Sequence, residues 1–354
     1  MRLQTFALPR VAVASTILAL YTAAALSSAS TSDSAQQSVG ATVISNDNPL
    51  IHFHGRWDAS PGTWWVGSGF KLHVEGLTSL TLNLGPHTTS PLASIGVSVD
   101  FEPFYTVNVT QGSNAIPLRR GSIPTTTAPA GSSESEVGTK KTTNRSVVRI
   151  NVEGWQDNRI NLETIVLNKG SKLLSYVPSK LAFQFIGDSL SAGQYLPQGV
   201  NQAWPFLTGE FFKAEHNINA QPGAALTDIV SYGNQHGVSY HANDASQNVT
   251  ADAFVQTFVT FLGRLRGLYP AAPFFVFTPW GWPSADGSIS YYYDGQYERI
   301  VDERHQAGDV STFLVNTTGW VAWDNVFPDN QHTNVPGHQK IAGLFEKWLS
   351  DWGL

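Results

Sequence analysis

The sequence contains no cysteine, which excludes disulfide bonds, a thiolate nucleophile and thiolate metal ligands. Charge is also scarce, since Asp, Glu, Lys and Arg make up only 14% of the 354 residues, whereas apolar residues make up 42%. A chain of this length and composition predicts about two domains, each held together by a hydrophobic core.

Positive charge is scarcer than negative charge, and the formal net charge is -6. The lysines and arginines form no cluster along the chain. A protein that binds nucleic acid needs clustered Lys and Arg to neutralise the phosphates. The composition therefore argues against a nucleic-acid partner.

Long apolar runs are absent except for Val11–Leu26 near the N-terminus. Arg2 and Arg10 precede this run and small residues follow it through Ser30, which is typical of a secretory signal peptide. The alternative is a membrane anchor, but the run is short for a span and no charged stop-transfer flank follows. We expect residues 1–30 to be a cleaved signal and the product to be secreted, extracellular and free of the membrane.

Other features fit a secreted chain. The segment 31–50 is polar and predicts a loose leader. Asn-x-Ser/Thr sequons, each a weak signal on its own, fit a glycoprotein. They begin at Asn108, Asn144, Asn248 and Asn316.

Residues 51–170 have the pattern of an antiparallel β domain. Apolar and polar residues alternate with period two in segments 73–85, 94–110 and 146–154, and Gly and Pro separate these segments. This pattern predicts a β-sandwich or jelly roll. Within it, segment 121–143 is rich in Ser, Thr, Gly and Pro, and we interpret it as a long surface loop.

Residues 171–354 instead alternate short apolar runs with amphipathic segments, which predicts a parallel α/β sheet. The first strand is Leu181–Ile186, and the clearest helix is Ala251–Leu268, with Thr250 as its N-cap. Further strands are predicted at 216–220, 274–278 and 312–316, and further helices at 203–213, 293–306 and 337–352.

A doubly wound sheet needs one more buried strand between residue 232 and the helix that starts at Ala251. The one candidate, Gly237–Ala242, is short and barely apolar. In the order 2-1-3-4-5 this would be the third strand, which lies beside the first. We interpret the sequence as truncated near residues 240–242, by a mis-assigned intron or by a real deletion.

Ser189 is the candidate nucleophile. It follows the first predicted strand in the turn Gly187-Asp188-Ser189-Leu190, and open α/β sheets bind ligands at the carboxyl ends of their strands. The alternative is that Ser189 only caps a helix. Ser191 is a rival that we expect to face the helix start, and we expect Asp188 to form hydrogen bonds within the turn.

The candidate base lies near the C-terminus. An acyl-transferring serine needs a base and a carboxylate that orients this base. His332 can be the base and Asp329 its partner, because D-x-x-H brings both to one short loop. The alternatives are a helix-capping histidine and a turn-forming aspartate. We expect His338, in the following helix, to be a packing residue.

The G-D-S-L turn together with D-x-x-H before the last helix resembles the SGNH (GDSL) hydrolase superfamily over about Ala182–Leu354. The resemblance implies a flavodoxin-like domain with three layers, α/β/α, and a Ser189–His332–Asp329 triad. It also implies an oxyanion hole whose donors include Gly223, in QPGA, and Asn243, in HANDAS. Each such donor is worth on the order of 3 kcal/mol. The family's G-x-N-D motif reads HAND here, without its glycine.

A second resemblance lies in the N-terminal half. HFHGRWD (52–58) and WWVGSGFKLHVEG (64–76) resemble the sandwich domain of two-domain carbohydrate esterases of family two. The alternative is any β-sandwich with aromatic core residues. The resemblance implies removal of acetyl groups from plant-wall polysaccharides such as xylan or glucomannan.

Tryptophans of the C-terminal half are candidates for sugar binding, with core packing as the alternative. We select Trp280, after a predicted strand, and Trp320 and Trp323, before the Asp-His loop.

The sequence thus predicts a secreted serine esterase that deacetylates polysaccharides or oligosaccharides through an acyl-enzyme, with no metal and no cofactor. One alternative is a short-chain lipid esterase or general carboxylesterase. Another is a catalytically impaired carbohydrate-binding protein, because the central strand before Asn243 is truncated. The oligomeric state is not predicted.

Overall fold

The computed structural model describes residues 40–120, 144–155, 157–232 and 243–354, all of which belong to one compact unit. The predicted signal peptide, the surface loop 121–143 and the candidate strand Gly237–Ala242 lie outside the described residues. No helix in the described part of the chain is both long and apolar enough to cross a membrane.

The N-terminal half is a sandwich of two antiparallel sheets. One sheet has the order β1-β10-β5-β8 with β3 beside β10, and the other has the order β11-β4-β9-β6-β7 with β2 beside β4. The strands are β1 (Thr42–Ser45), β2 (His52–His54), β3 (Gly62–Thr63), β4 (Gly69–Glu75), β5 (Leu80–Leu84), β6 (Ala93–Val99), β7 (Tyr105–Val109), β8 (Gly112–Ile116), β9 (Arg145–Val152), β10 (Ile160–Leu167) and β11 (Lys172–Leu174).

The period-two pattern divides the second sheet into an apolar face and a polar face. On β4, Phe70 and Leu72 are fully buried in the sandwich core. Lys71 points the opposite way and pairs in register with Arg149 of β9. These two cations lie on the face that meets the C-terminal half, because Lys71 bonds Glu215 and Arg149 bonds Glu210.

The sandwich extends past both predicted ends, 51 and 170. β1 lies within the predicted leader and pairs with β10, and β11 follows residue 170 and pairs with β4. Strands of three or four residues are too short to show a period in sequence, which explains the difference.

The C-terminal half is α/β. Its strands are β12 (Ala182–Gly187), β13 (Glu215–Ala220), β14 (Phe274–Phe277), β15 (Trp282–Pro283), β16 (Ile289–Ser290) and β17 (Thr312–Val315). Its helices are α1 (Ser189–Ala192), α2 (Trp204–Phe211), α3 (Ala251–Leu268), α4 (Gln296–Gln306) and α5 (Val335–Trp352), with 3₁₀ turns at Gly199–Gln202, Ala245–Gln247 and Trp323–Asn325.

Helices cover both faces of the parallel strands. On β14, Phe275 and Phe277 pack into the core that includes α2 and α5. Phe274 and Val276 point the other way, into the core that includes α3 and α4. Successive side chains of a strand point to opposite faces, so the helix pairs form separate layers. The predicted fold class, an antiparallel sandwich followed by a layered α/β domain, is confirmed.

The parallel strands form two separate pairs, β12 with β13 and β14 with β17. Within the described ranges, no ladder joins β12 to β14. In the order 2-1-3-4-5, the third strand would lie between these two strands. Trp204, at the start of α2, contacts both strands. The ring of Trp204 lies 5.5 Å from that of Phe185 on β12 and 5.0 Å from that of Phe277 on β14.

Candidate active site

The turn after β12 presents Ser189 at the start of α1. The N-cap is Asp188, whose Oδ1 accepts the backbone N–H of Leu190 at 2.9 Å. Ser189 is therefore the first helical residue, and its hydroxyl is not used as the cap. Burial raises the pKa of Asp188 to about 7. Ser191 faces back toward the strand, since a Cβ on Gly187 would lie 2.3 Å from the Ser191 Oγ.

The hydroxyl of Ser189 meets the imidazole of His332. Oγ and Nε2 are 3.0 Å apart, although the two residues are 143 positions apart in sequence. Nδ1 of His332 lies 3.2 Å from the backbone carbonyl oxygen of Asn330. A carbonyl can only accept, so Nδ1 carries the proton and Nε2 is left to accept from the serine. Burial lowers the pKa of His332, which favours this neutral base.

Asp329 lies in the same loop but is exposed, and in the part of the chain described it makes no bond to His332. The loop is a tight turn in which the N–H of Gln331 donates to the carbonyl of Phe327 at 2.8 Å. The N–H of His332 donates to the side-chain oxygen of Asn330 at 2.9 Å. This turn directs a main-chain carbonyl to Nδ1, the position predicted for the Asp329 carboxylate.

Gly223 lies in a turn directly after β13. The N–H of Ala224 donates to the carbonyl of Gln221 at 3.1 Å, and Gly223 has φ of +75°. Proline followed by a glycine of positive φ is typical of a type II turn. The turn adjoins the nucleophile strand, because the N–H of Gln221 donates to the carbonyl of Gly187 at 3.2 Å.

Asn243 lies between these two turns. Its Nδ2 donates to the carbonyl of Ala224 at 2.6 Å and lies 3.5 Å from Oδ2 of Asp188. The neighbouring Asp244 is fully buried and accepts two backbone N–H groups, from Leu226 and Thr227, at 2.6 and 2.8 Å. The predicted oxyanion segments are thus in direct contact with each other and with the nucleophile turn.

The three selected tryptophans pack into the core, and in the described residues none of them makes a ring contact with the imidazole. Trp280 is buried, and its ring is 6.3 Å from that of Trp204. Trp320 and Trp323 are partly buried and pack against the same core.

Two aromatic residues that we did not select lie beside His332. The ring of Tyr195 is 5.0 Å from the imidazole, and the ring of Trp282 is 5.8 Å from it. Gly281, with φ of +81°, separates Trp280 from Trp282. The W-G-W string was the available signal for Trp282, because a glycine between two tryptophans lets one enter the core and the other face the cleft. No comparable signal marks Tyr195.

In the described ranges, no group of three or more His, Asp or Glu residues is arranged to hold a metal ion. The polar groups in and around the nucleophile turn include the Ser189 hydroxyl, the His332 imidazole, the Asp188 carboxyl and the Asn243 amide. Such a set suits nucleophilic acyl transfer.

No family model matches the chain, and no curated protein does. Solved structures are similar over most of it. A family two carbohydrate esterase from Clostridium thermocellum in complex with cellohexaose has a TM-score of 0.63 and 16% identity, and the match covers 85% of this chain and 98% of that chain. An acetyl xylan esterase from the rumen bacterium Butyrivibrio proteoclasticus has a TM-score of 0.63 and 15% identity, with 88% and 98% covered.

A salicylyl-acyltransferase from a tetracycline biosynthetic pathway is as similar in fold, with a TM-score of 0.63, 14% identity and 89% and 98% covered. At such identities the likeness concerns the fold, and the chemistry must be argued from the site. The chain has the two-domain fold of the family two carbohydrate esterases, as its sequence motifs predict.

Proposed function

We propose that this protein is a serine esterase that removes O-acetyl groups from polysaccharides or oligosaccharides. The observation that carries the proposal is the 3.0 Å contact between Ser189 Oγ and His332 Nε2, with Nδ1 turned to the Asn330 carbonyl. In the neutral ring, this geometry leaves Nε2 to accept the serine proton.

The proposed reaction has two halves. His332 Nε2 takes the hydroxyl proton while Ser189 Oγ attacks the acetyl carbonyl, and the imidazolium then protonates the departing sugar oxygen. The products are a free sugar hydroxyl and an acetyl-serine. In the second half His332 takes a proton from water as the oxygen of this water attacks the acetyl-serine. The imidazolium then gives that proton to Ser189 Oγ as the acyl–oxygen bond breaks, which releases acetic acid, ionised to acetate in solution, and restores both residues. We propose that Gly223 and Asn243 donate hydrogen bonds that stabilise the oxyanion in both halves of the reaction.

Several observations support a carbohydrate substrate. The similar solved structures include an acetyl xylan esterase and a carbohydrate esterase in complex with cellohexaose. In this chain, Tyr195 and Trp282 place aromatic rings next to the reacting imidazole. Aromatic side chains with one polar end suit a partly wetted cleft, such as one that binds a sugar. Secretion, proposed from the signal-like segment 1–30, would bring the enzyme to extracellular polysaccharides.

The test is acetate release from a panel of acetylated polysaccharides, with wild type compared with Ser189→Ala. We expect release from acetylated xylan or glucomannan by the wild type and none by the variant. Equal rates for the two proteins would overturn the proposal. A longer-chain 4-nitrophenyl ester in the same panel identifies a lipid or general carboxylesterase, which would prefer the apolar ester.

The second candidate is a catalytically impaired carbohydrate-binding protein. It is favoured by the break between β12 and β14, since within the described ranges no ladder supports the nucleophile strand on that side. A fluorophosphonate probe separates the two functions, because it reacts only with an activated serine. Folded wild type that binds oligosaccharide but leaves Ser189 unlabelled would support the binding function.

A further inference from the structure

The nucleophile helix rests on a short loop, Gln194–Ala203, which we name the bracing loop. Gly193 ends α1 with φ of +73°, and a Cβ at this position would lie 2.7 Å from the carbonyl oxygen of Gly199. The N–H of Gln194 also donates to the carbonyl of Ser189 at 3.2 Å. A displacement of the loop would therefore move the helix that begins with the nucleophile.

The other side of the bracing loop rests on the sandwich. The N–H of Val200 donates to the carbonyl of Glu153, the residue directly after β9, at 3.2 Å. Gly199 has φ of +49°, and a Cβ there would lie 2.2 Å from that same carbonyl oxygen. The sandwich backbone and the loop backbone are thus in direct contact.

Asn201 fixes the loop through its side chain. Its Nδ2 donates to Oε1 of Glu153 at 3.2 Å, and its Oδ1 accepts from Nδ2 of Asn151 at 3.1 Å. Gly96 of β6 makes room for this amide, because a Cβ at this position would lie 2.1 Å from Asn201 Nδ2. The amide is 6% exposed and its carboxylate partner 3% exposed, so these bonds form away from solvent.

Glu153 is itself held by the sandwich strands. Its carboxylate accepts the hydroxyl of Ser94 on β6, and it accepts the hydroxyl of Thr106 on β7 at 2.9 Å. These bonds, with the bond from Asn201, satisfy a buried carboxylate that would otherwise be costly to bury. The Glu153 side chain thus bonds both the sandwich strands and the bracing loop. Through this loop Glu153 is connected to Ser189.

The bracing loop also reaches the base. The N–H of Trp204, directly after the loop, donates to Nδ1 of His338 at 3.1 Å, and the N–H of His338 donates to the carbonyl of Asn334. Asn334 begins the helix that follows His332. At the other end of the loop, Tyr195 packs edge-on against the imidazole at 5.0 Å. Both reacting side chains are therefore connected to this one loop.

We propose that Glu153 and Asn201 are positioning residues for the reaction, and that the sandwich domain uses them to set the distance between Ser189 and His332. The inference rests on the proposed esterase function. Its physical basis is that a misplacement of about 1 Å in a reacting group can cost about 100-fold in rate, even when its cause lies far from the chemistry.

The test is Asn201→Ala, assayed with an acetyl ester and with a fluorophosphonate probe. We expect kcat and the labelling rate of Ser189 to fall about tenfold or more, with KM within about twofold of wild type, because reacting groups rather than substrate contacts are displaced. A milder change, Thr106→Val, removes one bond to Glu153 and should give an intermediate kcat. This variant also serves if Asn201→Ala fails to fold.

The control is Glu215→Gln, which also lies between the two halves but at the start of β13. Glu215 starts β13 in register with Ala182 and binds Lys71 and Tyr176. We expect this variant to lower the melting temperature and to keep kcat within about twofold of wild type.

Two results would overturn the proposed role while leaving the esterase function intact. One is a folded Asn201→Ala with wild-type kcat and labelling. The other is that Glu215→Gln loses as much kcat as Asn201→Ala when the two variants have the same loss of melting temperature. Such a result would indicate that general destabilisation lowers kcat. A wild type that neither labels nor hydrolyses any acetyl ester would overturn both the function and the positioning role.

Discussion

A main-chain carbonyl, not a carboxylate, holds the imidazole of His332. The Asn330 oxygen lies 3.2 Å from Nδ1, while Asp329 points to solvent. A carbonyl orients the ring and fixes its tautomer as a carboxylate would, but it adds no negative charge to stabilise the imidazolium.

This difference predicts unequal effects at two neighbouring positions. His332→Ala should lower kcat by about 1,000-fold or more, since it removes the base. Asp329→Ala should keep kcat within about threefold of wild type, because the exposed carboxylate makes no bond to the ring in the described structure. Steady-state kinetics with an acetyl ester measure both. A loss of about 100-fold or more in Asp329→Ala would show that the carboxylate turns to the imidazole in solution.

The buried imidazole also predicts a pH profile. Burial lowers the pKa of His332 below 6.5. The base acts when neutral, so the titration of His332 should make kcat/KM rise with pH through this lowered pKa. The profile of kcat/KM between pH 4 and 8 measures the midpoint. A midpoint at or above 6.5 would contradict the prediction.

The sequence led to Ser189 and His332 through local patterns, a turn after an apolar strand and a histidine before the last helix. The same patterns could not decide what holds the imidazole. D-x-x-H spacing allows either the side chain at 329 or the carbonyl at 330, and only the turn geometry separates them. Likewise, the choice between Trp280 and Trp282 depends on the positive φ of Gly281, which sequence spacing does not reveal.

At the scale of elements, the start of α5 fixes the loop that presents the base. Asn334 is the N-cap, and its Oδ1 accepts the N–H of Gly337 at 2.9 Å. Its Nδ2 donates to the carbonyls of Asp324 and Val326 at 3.0 and 3.1 Å. One side chain thus joins the helix to the segment that precedes the His332 turn.

We predict graded effects of two substitutions at this cap. Asn334→Ala removes all three bonds and should lower the free energy of unfolding by about 2 kcal/mol. Asn334→Asp keeps the capping acceptor but loses both donors, so its loss should be smaller. Urea unfolding of both variants measures the difference. Equal stability of the alanine variant and wild type would contradict the capping role.

Elements that bury a clear apolar stripe could be predicted from sequence. α3, for example, occupies Ala251–Leu268 with Thr250 as its cap, as predicted. The short strand β11, by contrast, was not predicted, because it is defined by its pairing with β4, which is distant in sequence.

At the scale of the whole molecule, burial of His338 couples stability to pH. This residue is 1% exposed, and burial lowers its pKa from 6.5 to about 3. Between these values the unfolded imidazole binds a proton and the folded one does not. The contribution of His338 to stability therefore increases with pH across this window and is lost as pH drops from 6.5 toward 3.

Replacement of this imidazole should flatten that dependence. His338→Asn keeps an acceptor for the Trp204 N–H and should reduce the slope of unfolding free energy by about 1.4 kcal/mol per pH unit between pH 6 and 4. Urea unfolding at several pH values measures it. A His338→Asn slope equal to that of wild type would contradict the linkage.

The separation of the parallel strands into two pairs has a consequence for thermal behaviour. Ser189 follows β12 of one pair, whereas the His332 loop comes after β17 of the other. In the described ranges the rings of Phe185, Trp204 and Phe277 connect the two pairs, and individual contacts of this kind are weak. On warming, a small shear between the pairs would part the hydroxyl from the imidazole while each pair stays intact. Heat inactivation should then begin below the temperature at which the protein melts.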